Sequence, residues 1–265
     1  MRKLRDFSIE NNIIMVMPID LAETFPHLSK APIVEAVIAI SVVPSVTWDE
    51  ISLQSELKRL LPDFPKIEPL RKTRLQFTPE KQVNPMIEDL GCIGFKFQSS
   101  DNLHIAQFNK EAFVFSRLKP YEDWSQLSGE ALRLWAIYYE LLKPREVIRV
   151  GLRFINRIAI MQERVELSDY YRHPPDSLKE LNWPLAGYLH HDVIRVPGTQ
   201  HSVNLIKTVQ NIAGEIGLIL DIDVFMAKRF EYNELHLKQF LEEMRWVKNK
   251  IFFTSLTEKI IEELK

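Results

Sequence analysis

Three arginines at a spacing of four, Arg149, Arg153 and Arg157, are the first residues whose types and positions could do chemistry. They lie in VIRVGLRFINRIAI, residues 147–160, where Ile148, Val150, Leu152, Phe154, Ile158 and Ile160 alternate with them. A strand sends successive side chains to opposite faces, so the arginines share one face, neighbours about 13 Å apart. Guanidinium groups so placed could grip phosphates or carboxylates through paired N–H donors. A competing partner is written into the chain itself. In residues 215–225, Asp221 and Asp223 share one face while Leu218, Leu220, Ile222 and Val224 take the other. If the two strands are neighbours, the aspartates pair with Arg153 and Arg157 across them. That ion-pair ladder is the preferred reading, and it leaves Arg149 as the arginine to contact a ligand. Arg71, Arg74 and Arg117 are further candidate anion contacts.

The same aspartates could instead serve a metal ion or acid–base chemistry, with His190 or His201 as the remaining ligand. A D-x-D pair on a strand has little specificity. His190 and His191 are adjacent, so they point to opposite faces, whereas His190 and Asp192 share one. No H-x-x-x-H or H-E-x-x-H spacing occurs, and polar surface histidines are the preferred account. Asn156, alone on its apolar face, reads as a buried amide bonded to backbone groups, because leaving it unsatisfied would be costly. Cys92 opens an apolar strand and reads as core. The chain contains no G-x-G-x-x-G, G-x-x-x-x-G-K-[ST] or G-x-S-x-G, and only 8 glycines. Phe95, Phe97, Phe108, Phe113 and Phe115 could stack bases, but as same-face pairs on short strands they suit a core. No cofactor is expected.

Elements positioning these residues follow from periodicity. IVEAVIAISVV, residues 33–43, is apolar at nearly every position, the pattern of a strand buried on both faces. Thr47 and Glu50 form a capping box before a helix with Leu53, Leu57, Leu60 and Leu61 on one stripe. Residues 62–69 hold three prolines and read as a linker or edge loop. A basic strand follows at 70–78, then a loop, then three strands at 92–98, 103–108 and 112–118 joined by tight turns. Asp123 with Gln126 caps a second helix. After the arginine strand comes a mixed stretch with a short helix at 167–171 or 176–181. Strands at 188–196, 202–210 and 215–225 follow, then a helix from about Asn233, and Ser255 with Glu258 caps a further helical piece. The order strand, helix, strands, helix occurs twice. The chain is therefore read as α+β, an N-terminal extension 1–24 followed by two similar units, 25–145 and 146–265, in one compact domain. Each unit is a curved antiparallel sheet with helices on one face, resembling the duplication of TATA-binding-protein-like folds; a helix-grip arrangement is the alternative.

Composition narrows the partners. A 265-residue chain at 46% hydrophobic and 26% charged, with net charge −2, exerts no global pull on nucleic acid or an anionic membrane. One cysteine precludes an internal disulfide and suits the cytoplasm. No apolar run approaches a bilayer span, so no membrane partner is expected. Met15 and Met17 are alternative starts, which would make residues 1–16 an upstream extension.

Four blocks carry a family resemblance: FPHLSKAPIVEAVIAISV at 25–42, QFNKEAFVFSRLKPYEDW at 107–124, GLRFINRIAI at 151–160, and LDIDVF with RWVKNKIFFTSLTEKI within 220–260. Together they resemble a sporadically distributed bacterial family of uncharacterised proteins. The resemblance implies a bacterial, cytoplasmic protein, suggests a role on defence or mobile loci, and brings no catalytic residues. The expectation is a non-enzymatic binding or interaction module for a protein or anionic ligand, with assembly into homo-oligomers left open. A metal-assisted hydrolase and a nucleic-acid-binding protein are the alternatives.

Overall fold

The computed structural model describes residues 19–45, 49–76, 86–160, 166–174, 187–212 and 215–265. The first half runs β1 (Ile33–Val43), α1 (Glu50–Leu60), β2 (Lys66–Gln76), β3 (Met86–Gln98), β4 (His104–Asn109), β5 (Ala112–Leu118) and α2 (Trp124–Leu142). The second runs β6 (Glu146–Ala159), α3 (Leu167–Tyr170), β7 (Leu189–Arg195), β8 (Ser202–Ile212), β9 (Glu215–Met226), α4 (Glu234–Ser255) and α5 (Glu258–Leu264). Among the described residues the strands form one nine-stranded sheet in the order β2-β3-β4-β5-β1-β6-β9-β8-β7. Every pairing is antiparallel, so the chain is α+β. Outward from the β1–β6 seam, each half presents its first strand, then its meander in reverse order.

Alternation decides which face is covered. Ala36, Ile38, Ile40 and Val42 of β1 are buried, and the register sets Ile38 opposite Phe115 on one side and Leu152 on the other. The same face continues through Phe154 and Ile222 to Leu205. Helix α2 packs on β5 and β1, and α4 on β9 and β6, so the apolar stripes of both helices close one core on one side of the sheet. The phenylalanines at 95, 97, 108, 113 and 115 are all within it. Among the described residues no helix layer covers the other side. Strand β1 therefore differs from expectation: Glu35, Val37, Ala39 and Ser41 on its second face are half-exposed rather than buried. An apolar run reflects burial on both faces only when a second layer exists to cover it.

Several boundaries also move. Residues 66–69, expected as loop, belong to β2. Pro69 is tolerated there because β2 is an edge strand with one side free of ladder bonds. Asp49 caps α1, accepting from the Ile51 and Ser52 amides, while Thr47 lies outside the described residues. Asp123 caps α2 as expected, accepting from the Gln126 amide at 2.9 Å. At the C-terminal end the cap is Thr257, whose hydroxyl accepts from Ile260; Ser255 is the last residue of α4. The short helix lies at Leu167–Tyr170, and the alternative at 176–181 is outside the described residues. No described helix is long and apolar enough to cross a membrane.

Candidate functional site

On the uncovered face, β6 and β9 are neighbours, and their charges meet as a ladder whose rungs differ from the expected ones. Arg153 stands opposite Asp223 in register, yet its guanidinium leans along the strand to Asp221, with contacts of 2.8 and 2.5 Å. Arg149 takes Asp223, at 3.1 Å, and stacks over the Phe225 ring. Glycine makes that lean possible, since a Cβ at Gly151 would come within 2.6 Å of the Arg149 guanidinium. Arg157 lies across Gly217 in the same manner and donates to the Glu215 carbonyl oxygen at 2.9 Å. The residue expected to be left over, Arg149, is thus paired, and Arg157 is the one without an aspartate. The Asp221 bond in turn holds the Arg153 guanidinium above its usual basicity.

The remaining arginine candidates are engaged as well. Arg71 pairs with Asp89 at 2.7 Å and Arg74 with Glu88 at 3.2 Å, both across the exposed β2–β3 edge. Arg117 is not on the uncovered face. It follows Phe113 and Phe115 at even spacing, so it points into the helix side, is 6% exposed, and bonds Glu122 at 3.0 Å. The parity of β5 carried that information in the sequence. The metal alternative does not assemble either. Asp221 and Asp223 face the uncovered side, whereas His190 and His201 face the helices. His190 stands opposite Lys207, and His201 is six residues from Lys207 along β8, about 20 Å at strand rise. His190 bonds Asp192 at 2.9 Å; His201, expected at the surface, is 2% exposed and bonds Glu243 of α4 at 2.7 Å. Among the described residues no three His, Cys, Asp or Glu side chains group as a metal site.

The site that does form lies on the helix side. A cavity of about 520 Å³ opens between residues 21–33, the loop before α2, strand β6 and helix α4. Its inner wall is aromatic, with Phe154 of β6 and Trp246, Phe252 and Phe253 of α4. Phe25 stacks on Phe253 with ring centroids 5.5 Å apart, and Tyr121 meets Phe154 edge to face at 5.5 Å. The outer wall is held by Glu23, which accepts from the Trp246 indole at 2.9 Å and from Lys250 at 2.6 Å. Residues 19–24, assigned by sequence to an extension, therefore include part of this wall. Asn156 lines the cavity and is the buried amide expected, its Nδ2 donating to the Phe154 and Leu220 carbonyl oxygens at 3.3 and 2.9 Å.

Lys248 is a candidate residue that the sequence did not single out. Its ammonium sits 4.1 Å from the Phe154 ring centroid, and among the described residues it has no hydrogen-bond or carboxylate partner. The residue is part-exposed and lines the open cavity; desolvation lowers its pKa to about 7, with Arg245 one turn away adding to the shift. The surrounding carboxylates are occupied. Glu23 is held by Trp246 and Lys250, Glu122 by Arg117, Asp123 by the start of α2, and Glu242 by the Trp124 indole and Arg245. His27 also lines the cavity, and the Tyr121 phenol is pushed well above its usual pKa by burial, so it stays protonated. The sequence held one signal, a lysine directly after the buried pair Trp246–Val247, but the aromatic wall comes from distant segments. No family model matches this chain, and no curated protein matches it.

Proposed function

We propose that the protein is a non-enzymatic binding module that takes a small, largely apolar anion in the α4 cavity. The observation that carries this is the unpaired Lys248 ammonium in an aromatic-lined space whose carboxylates are already engaged. A partly desolvated cation with no carboxylate partner among the described residues favours a ligand that supplies one, and the rings supply apolar contact. Nucleic acid is a weaker reading, because the six candidate arginines already hold carboxylates or a carbonyl. The metal-assisted hydrolase is weaker because its aspartates and histidines face opposite sides of the sheet. The scaffold is read as a duplication of the TATA-binding-protein type, supported by the strand order repeating outward from β1–β6. A bacterial, cytoplasmic setting on a defence or mobile locus is carried into this reading from the sequence blocks alone.

The test uses anilinonaphthalene sulfonate, an aromatic anion that fluoresces when shielded from water. Saturable binding is expected, weakened about tenfold by Lys248→Met, the order of one charge-assisted contact. Affinity should also fall from pH 6 to pH 9, as Lys248 loses its proton around its pKa of about 7. Equal affinity of wild type and Lys248→Met would overturn the reading.

A further inference from the structure

We propose that Lys248 captures its ligand covalently and reversibly, as an imine, and that the ligand class is 2-oxo acids with an aromatic or branched apolar side chain. This rests on the cavity being an anion site and adds the chemistry of the reacting atom.

The geometry sets three requirements and meets each. An attacking amine needs a lone pair, and among the described residues no carboxylate holds Lys248 as ammonium; the face of Phe154 lies 4.1 Å from it. Burial and the Arg245 charge bring its pKa to about 7, so a fraction of molecules carries the free amine at neutral pH. The carbonyl oxygen needs a hydrogen-bond donor to polarise it, and the Tyr121 phenol, which burial keeps protonated, lines the same cavity. The apolar tail needs a dry wall, which Trp246 and Phe253 form. The 2-oxo acids fit better than simple aldehydes because of charge. The amine attacks the ketone carbon, the carbonyl π electrons pass to oxygen, a proton moves from nitrogen to that oxygen, and the carbinolamine takes a second proton from solvent and loses water. The product is a protonated imine, which keeps a positive charge beside the ligand's own carboxylate. The ligand's carboxylate therefore faces a cation at position 248 both as ammonium and as protonated imine.

The experiment incubates the full chain with phenylpyruvate and sodium cyanoborohydride, which reduces the imine and leaves the ketone. Peptide mapping should find one adduct, on Lys248, formed about tenfold faster than on any surface lysine. Phenyllactate, which lacks the ketone, should slow labelling by competition and leave no adduct. Lys248→Arg should retain anilinonaphthalene sulfonate binding while losing the adduct. If phenyllactate displaces anilinonaphthalene sulfonate but phenylpyruvate labels Lys248 no faster than surface lysines, the imine is overturned and the anion site stands. If neither acid displaces the probe and no fast adduct forms, both fall.

Discussion

At the scale of single residues, two charged groups behave in opposite ways, and each makes a prediction. Asp221 is 6% exposed and depends on Arg153, whose own side chain is half in solvent. Arg153→Met strips the carboxylate of its charged partner and should cost about 2 kcal/mol, less than a fully buried pair because water can reach the vacated position. Urea denaturation measures it, and adding Asp221→Asn should recover part of the loss, since both charges are then gone. Lys248 shows the reverse. The unfolded chain keeps a lysine protonated to about pH 10.4, whereas the folded chain releases that proton around pH 7. Between those values the unfolded state binds more protons, so stability rises with pH across this window. Lys248→Met should therefore be more stable than wild type at pH 7. The gain should be on the order of 2 kcal/mol, discounted for the part of the side chain reaching solvent, and should shrink toward pH 10.

At the scale of elements, helix α2 is defined at both ends by local chemistry. Asp123 accepts from the Gln126 amide and side chain, and Asp123→Ala should cost about 1 kcal/mol in thermal or urea unfolding. At the other end Lys143 sits at φ 40°, in the left-handed region, with its amide bonded to the Tyr139 carbonyl oxygen. Glycine adopts that conformation without a Cβ clash, so Lys143→Gly should stabilise the protein by about 0.5–1 kcal/mol. A loss there would mean that Lys143 holds contacts its backbone strain conceals. Strands β6 and β9 show the same locality differently. Gly151 and Gly217 leave the surface gaps into which Arg149 and Arg157 fold.

At the scale of the whole molecule, the β1–β6 seam joins the two halves. Ile38, 1% exposed, lies between Phe115 and Leu152, one neighbour from each half. Ile38→Ala removes packing from both cores at once and should cost about 2–4 kcal/mol. Because the sheet is continuous, unfolding should be one transition. Fluorescence from Trp135 in α2 and Trp246 in α4 should give midpoints coincident with far-ultraviolet circular dichroism. Two separated transitions would instead mean that the halves are independent. Cutting at the seam would expose two apolar strands as edges, so neither half is expected to fold alone.

Much of this was legible along the chain. Two-residue alternation marked β4 to β9, the cap residues Asp123 and Asn233 marked helix starts, and same-face aspartates and arginines announced the β6–β9 ladder. These signals are local, because strand and helix periods are properties of consecutive residues. Three things were decided only by the tertiary structure. The lean of Arg149 and of Arg157 depends on which neighbouring position is glycine, Gly151 on the same strand and Gly217 on the adjacent one. The burial of β1 depends on how many layers cover the sheet. Whether Lys248 is paired depends on where the neighbouring carboxylates go, and those around it come from residues 23, 122, 123 and 242. Pairing of charges is a sum over space, so the sequence announced an arginine–aspartate ladder but named Arg149, which is paired, as the arginine left over. An open charge among the described residues is a lysine on the other side of the same strand, over Phe154.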